Sequence, residues 1–355
     1  YFSTAMISAA VVSVCFAVFG AIFFDPMMYA LGADTTNIEL VRGYGLCYTV
    51  SAPLFIFSSS LQSFIRNDKS PRHAMIAVLT GSGLNILLDY LFIFVFKMGM
   101  FGASFATSIG TSITVCILII HFFTKKNTMR FSFRFFSIKA LWEIAKCGFS
   151  SFLIECANAV LVFVFNHTLL KYIGSVGVTV YSIMSNVAVV CMSLFNGVTL
   201  AAQPIIATNH GADNHKRVLQ VRHIGTITSS VIAVIIFCVG FFFPDLLIYS
   251  YVKGPTPEIL DLARYALRIY FFAYLFMNFN IFFSGYFQST LRPVAAITIQ
   301  ILRSLLLSSV LVSVLPMIFG ADAIWYAVPI TECITFFVAM AFLFFGRFQK
   351  TKEAK

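Results

Sequence analysis

Long apolar runs, each closed by a short polar segment, dominate the chain. Ten can be read, over residues 2–24, 44–65, 74–96, 101–123, 144–170, 176–199, 221–243, 262–287, 294–317 and 323–345. Runs of about 20 residues are long enough, as α-helices, to cross a hydrocarbon core of about 30 Å. A soluble helical bundle needs a polar stripe along most of its helices, and these runs leave no room for one. They are also continuous where barrel strands would alternate over about ten residues. The pattern predicts an all-α, polytopic membrane protein.

Composition and charge sharpen that reading. Of 355 residues, 59% are hydrophobic and 11% charged, and the mean hydropathy is +0.91. A soluble domain would carry roughly 25% charged residues. The bases fall mostly in alternate connections. One set holds Arg66, Lys69, Arg72; Lys125, Lys126, Arg130, Arg134, Lys139, Lys146; Lys216, Arg217, Arg222; Arg292; and Arg347, Lys350, Lys352 and Lys355 in the tail. The opposite set holds Arg42, Lys97, Lys171 and Lys253, beside acidic segments. The positive-inside rule puts the first set in the cytoplasm, with both Tyr1 and the C-terminus on that side of the cytoplasmic membrane. The formal charge of +10 is therefore topological, and no nucleic-acid partner is needed. Residues 129–143 form a cytoplasmic linker in which bases alternate with aromatics, suited to an interfacial helix on the headgroups. The eight cysteines are scattered without a CxxC pair, which suggests neither a disulfide framework nor a zinc site.

An internal repeat runs through the chain at an offset of about 220 residues. Phe23-Phe24-Asp25-Pro26 recurs as Phe242-Phe243-Pro244-Asp245, Tyr44 as Tyr265, Pro71 as Pro293, and Met100-Phe101-Gly102-Ala103 as Ile318-Phe319-Gly320-Ala321. Four early helices thus correspond to the last four, while the fifth and sixth have no upstream partner. The offset implies two further helices, about 80 residues, ahead of Tyr1 in a twelve-helix protein. The domains so read are an N-terminal half-bundle over 1–128, the linker 129–143, a six-helix bundle over 144–346 and a cytoplasmic tail over 347–355.

The sixth run ends in Phe195-Asn196-Gly197-Val198-Thr199-Leu200-Ala201-Ala202-Gln203-Pro204, continuing to His210-Gly211-Ala212. Pro204 removes a helical N–H, and Gly197 and Gly211 permit close approach or an abrupt end, so the segment reads as a bending point. It resembles a signature of the multidrug and toxic compound extrusion (MATE) transporters, in their bacterial multidrug-efflux branch. Three stretches agree: Gly83-Leu84-Asn85-Ile86-Leu87-Leu88-Asp89-Tyr90, Ser150-Ser151-Phe152-Leu153-Ile154-Glu155 and Phe283-Ser284-Gly285-Tyr286-Phe287-Gln288-Ser289. The resemblance covers essentially the whole chain. It implies two six-helix bundles with the third to twelfth family helices present. It also implies a secondary antiporter that exports bulky, mostly cationic drugs and admits protons or sodium. There are departures. Gly148 is followed by Phe149 where many members have proline, and 270–283 holds Asn278 and Asn280 but no acid. The latter weakens the case for a sodium site there and favours protons.

Acids inside membrane spans are expensive unless paired, protonated or wet. Asn85 and Asp89 stack on one helix face, where a carboxylate and an amide oxygen can share a proton or ligate sodium, and Gly81 and Gly83 leave room for a neighbouring backbone. The resemblance places a cation-linked pair at these two positions, and at Glu155 an acid that meets cationic substrate or coupling ion. Asn158, Asn186, Asn278 and Asn280 are further candidates for the substrate cavity. Arg303 and Glu332 read as a buried ion pair joining two helices, grouped with Gly197, Gln203, Pro204 and Gly211 as structural or gating positions. With no GxxxxGK[ST] loop, ATP is not a direct energy source. The chain reads as no enzyme, without a cofactor, acting as a monomer on small organic cations in the lipid bilayer. The alternative is a flippase for lipid-linked saccharides, which should show several deep bases for a pyrophosphate; a receptor or scaffold would not need Asp89 and Glu155.

Overall fold

In hydrocarbon no water bonds the peptide groups, so a chain this apolar must satisfy its backbone within helices. A computed structural model describes residues 1–30, 38–125, 127–132, 134 and 136–353, and among them it holds helices and no strands. The acidic connection 31–37, Lys126 and Lys355 lie outside the described residues. So do the side chains of Lys146, Arg347, Lys350 and Lys352 and those at 150–151 and 153–154. Among the described residues, eight helices are long and apolar enough to cross a membrane, or nine if one bent pair forms a single span. The protein is an all-α polytopic membrane protein.

The chain divides into two compact units, Tyr1–Gly148 and Phe149–Lys355. The first contains α1 (Phe2–Ile22), the short α2 (Phe24–Ala30), α3 (Ile38–Val50), α4 (Ala52–Asn67), α5 (Pro71–Tyr90) and α6 (Gly99–Ile120). The single run expected over 44–65 is in fact the pair α3 and α4, bent by 47°. Pro53 explains the break: it has no N–H to offer the carbonyl of Thr49. The Leu54 N–H instead turns back to the Ser51 carbonyl at 2.9 Å. α6 packs against α3, α4 and α5, and Met6, Leu61, Ile65, Ala74, Ala77 and Leu118 form the apolar core.

α5 and α6 approach closely where glycines face each other. A Cβ on Gly81 would lie 2.6 Å from the Gly110 carbonyl oxygen, and one on Gly110 would lie 2.8 Å from Asn85 Cβ. Gly83 does not share this role, because nothing lies within 4 Å of where its Cβ would stand. Two steps along a helix turn a side chain about 200° round the axis, away from the contact.

The linker also departs from expectation. Among the described residues it forms no α-helix before Ile138, where α7 (Ile138–Tyr172) begins. The order Met129-Arg130-Phe131-Ser132 repeats with period two, which suits an extended chain better than a helix. The start of α1 supplies partners that a helix would have supplied. Ser3 donates to the Arg130 carbonyl at 3.3 Å and accepts from the Ser132 N–H at 3.2 Å, and Thr4 accepts from the Ser137 N–H at 3.2 Å.

The second unit holds α8 (Ser175–Gly211), α9 (His215–Phe242), α10 (Pro244–Tyr251), α11 (Pro257–Ser289), α12 (Pro293–Ile301), α13 (Leu307–Phe319) and α14 (Ala327–Glu353). α11 is its hub, packing on α8, α9, α12 and α14. Its most apolar window is 61% buried, against 6% for the span that begins with α5. One short helix in each unit carries an acid in its first turn that pairs with an arginine on the next long helix. Asp25 meets Arg42 in this way, and Asp245 accepts from Arg264 Nε at 2.6 Å and Nη2 at 2.7 Å.

Deep in the second unit, Arg303 Nε and Nη2 donate to Glu332 Oε1 at 3.0 and 2.8 Å. Asn280 Nδ2 donates to Glu332 Oε2 at 2.7 Å and to its backbone carbonyl at 2.9 Å. The two charged side chains are only 9% and 3% exposed. Arg303 sits in a π-turn, Leu302–Leu306, whose spare carbonyl at Arg303 accepts from the Ser308 hydroxyl at 2.6 Å.

Two outcomes follow for purified protein in detergent, both read by thermal unfolding of the helical circular dichroism. Gly81→Ala should cost about 1–3 kcal/mol by forcing α5 off α6, while Gly83→Ala should be neutral or slightly stabilising; equal losses would mean the close approach is not what holds this pair. Glu332→Gln strands the Arg303 charge and should cost about 3–5 kcal/mol. Adding Arg303→Met should recover most of that, because the new amide oxygen still accepts from Asn280 and no buried charge remains. A double variant no better than the single one would refute the stranded charge as the source of the loss.

Candidate functional site

In the first unit, α5 carries Asn85 and Asp89 one turn apart on the same face. The Asn85 amide nitrogen donates to the Thr107 hydroxyl at 3.4 Å, and that hydroxyl donates to the Ala103 carbonyl at 3.0 Å. The arrangement fixes the amide by its nitrogen and leaves its oxygen as the uncommitted end. Asp89 is half-buried, and its Oδ1 is fully buried with no hydrogen-bond partner among the described residues. Directly beyond it the helix widens into a π-turn, Leu91–Val95, closed by the Phe96 N–H on the Leu91 carbonyl at 2.9 Å. Such turns inside α-helices concentrate at functional positions. A bare carboxylate oxygen beside a free amide oxygen can take a proton or a small cation, but not both together.

In the second unit, Glu155 is exposed on α7, and Asn158 donates to its Oε2 across 3.5 Å. Asn186 on α8 is exposed as well, and its amide nitrogen donates to the Ser182 carbonyl at 2.8 Å. Asn278 and Asn280 do not join them. Two positions apart on α11, they face different neighbours, and both are buried. Asn278 donates to the Tyr274 and Leu275 carbonyls at 3.1 and 2.8 Å and accepts from the Ser229 hydroxyl at 3.3 Å. Asn280 is bound to Glu332. In this structure both amides are engaged inside the second unit, and Asn280 Oδ1 is buried without a hydrogen-bond partner among the described residues.

The segment read as a bending point is a continuous helix through Pro204. Gln203 donates to Gln288 Oε1 on α11 at 3.3 Å. Gly197 has open space where a Cβ would stand, so it permits no close approach here. Gly211 ends α8, after which Asp213 at φ +53° turns the chain and Asn214 caps α9 by accepting from the Arg217 N–H at 3.3 Å.

Sequence reasoning missed one buried polar cluster. Asp68, just past α4, accepts from His121 Nε2 at 2.8 Å, from the Thr128 N–H at 3.1 Å and from the Thr128 hydroxyl. Burial pushes its carboxyl up, but the bonds from Thr128 and His121 outweigh this and hold it below the usual carboxylate range. The partners lie more than fifty positions apart, and no local spacing links them.

The MatE family model matches residues 1–91 and 147–314, well over half of the chain. The multidrug export protein MepA of Staphylococcus saprophyticus subsp. saprophyticus is 26% identical over 331 residues, 93% of this chain and 72% of that protein. The protein of the same name from Staphylococcus haemolyticus is 26% identical over 340 residues, 95% of this chain and 74% of its own. A solved structure described as the outward-facing conformation of a multidrug resistance MATE family transporter of the MOP superfamily gives a TM-score of 0.88. It is 20% identical, over 99% of this chain and 78% of that one. A MOP superfamily transporter from Pyrococcus furiosus gives 0.89 at 20% identity, over 100% of this chain and 80% of that one. These likenesses establish the fold, and the family match, which extends across both compact units, establishes that the chain belongs to the MatE family.

Proposed function

We infer that this MatE-family membrane protein is a secondary antiporter that exports bulky, mostly cationic organic compounds in exchange for protons or sodium ions. The observation that carries the reading is Asp89 Oδ1, buried and unpartnered one turn from Asn85. A carboxylate left bare in a span is costly to a merely structural design. Its protonated and cation-bound forms exclude one another, which is the exchange that an antiporter requires. Glu155, exposed and lightly held by Asn158, is suited to meeting the charge of an organic cation, with Asn186 as a polar contact of the same unit. The two staphylococcal relatives are named as multidrug exporters, which supports the substrate class. Among the described residues the one arginine deep in a span, Arg303, is neutralised by Glu332, which speaks against a pyrophosphate-handling flippase.

Asp89→Asn keeps the outline of the side chain but removes proton exchange and strong sodium ligation. In liposomes the variant should bind a fluorescent cationic dye without dependence on pH and fail to export it on an imposed proton or sodium gradient. Export at the wild-type rate with an unchanged ion response would refute the coupling role of Asp89. Glu155→Gln should fold normally, yet monocationic dye efflux should fall about tenfold, the scale of losing about 1.4 kcal/mol of ion pairing. Neutral substrates should lose less, and an equal loss for both would mean that Glu155 does not read substrate charge.

A further inference from the structure

The turn between α4 and α5 borders a cleft of about 580 Å³ whose lining includes Lys69, Ser70, Arg72, His73, His121 and Lys125. Five of those six side chains are basic in type. Lys69, Arg72 and Lys125 are exposed, and among the described residues no carboxylate pairs with any of them. The nearest acid in sequence, Asp68, is turned inward and held by His121 and Thr128. His73 is tied down too, donating Nε2–H to the Ile117 carbonyl at 2.8 Å. The histidines therefore form a fixed wall, 5.7 Å apart between ring centres, while three flexible cations remain uncompensated around the opening.

Conformation does not account for the lysine at the turn. Lys69 has φ +59°, and the matching position of the second unit, two residues before Pro293, is Leu291 at φ +56°. The same strained turn thus accepts an apolar residue, so the basic side chain at 69 is there for another reason. The surroundings indicate the kind of anion. One turn along α5, Met75 and Ile76 are exposed, and Ile119, Ile120 and Phe123 are exposed where α6 ends. A free phosphate has no use for an apolar flank, whereas an acyl chain does.

We propose that this cleft binds the phosphate of an anionic phospholipid headgroup through Lys69, Arg72 and Lys125, with the lipid tail lying on the exposed apolar faces of α5 and α6. Basic pockets between membrane helices are suited to such headgroups, and each lysine or arginine near the surface contributes about fivefold in affinity. The site is separate from Asp89 and Glu155, so it stands or falls independently of the transport reading.

The full chain would be placed in phosphatidylcholine nanodiscs with increasing phosphatidylglycerol, and lipid retention would be followed by native mass spectrometry alongside the thermal midpoint. Wild type should retain phosphatidylglycerol in preference to phosphatidylcholine and gain thermal stability from it. Lys69→Gln/Arg72→Gln/Lys125→Gln should lose most of that preference, by about fivefold per charge, with its midpoint in pure phosphatidylcholine unchanged. If the triple variant folds poorly, Lys69→Gln alone should show a single fivefold loss, since its side chain is exposed. Lys216→Gln/Arg217→Gln, which removes two bases at the start of α9, should leave the preference intact. An undiminished preference in the Lys69 variants would overturn the proposal, as would an equal loss in the α9 variant, which would reveal only general attraction to basic surface. Inorganic phosphate that matches the lipid in stabilising the protein and abolishes the preference would assign the cleft to a soluble anion and overturn the lipid.

Discussion

Hydrocarbon offers neither a hydrogen bond nor a counter-charge, so every polar group carried into a span must bring its partner or be left exposed to the cost. That constraint separates the deep groups of this protein into closed and open sets. Glu332 is closed: Arg303 occupies one oxygen, Asn280 the other, and the widened turn that places Arg303 is itself sealed by Ser308. Asp89 is open, with one oxygen buried and bare. The closed set ties α11, α14 and the π-turn at Arg303 into one block.

The internal repeat shows which features the two units share and which they do not. An acid at the start of a short helix clamps an arginine in both units, at Asp25 with Arg42 and at Asp245 with Arg264. Both units also carry a positive-φ residue two positions before a helix-opening proline, Lys69 before Pro71 and Leu291 before Pro293. The repeated scaffold is then loaded differently: the first unit keeps its unpartnered acid on α5 and its basic cleft at the turn, while the second buries a paired acid on α14.

Much of this was legible in the sequence because the span signal is strong and local: a run of twenty apolar residues has few readings. The Asp89–Asn85 face was legible for the same reason, since it needs only the helical period. What the sequence did not disclose depends on angles and distant partners. Pro53 sits inside an apolar run that reads as one element, yet the missing N–H bends the chain there. Asn278 and Asn280 look like equivalent cavity residues, but two steps on a helix send them to Ser229 and Glu332. The pairing of Asp68 with His121 joins the ends of separate spans. The alternation at 129–132 was visible, but the bonds that hold this stretch to Ser3 and Thr4 join positions more than 120 residues apart.

Under the proposed antiport reading, the contrast between the two acids bears on which one would serve ion exchange. Protonating Glu332 would strand the guanidinium of Arg303, and leaving one member of a buried pair uncompensated costs about 3–5 kcal/mol. Protonating Asp89 strands nothing, because no arginine or lysine among the described residues pairs with it. On the proposed reading, a proton, or a sodium ion held with the oxygen of Asn85, would take up an oxygen that no hydrogen bond among the described residues uses.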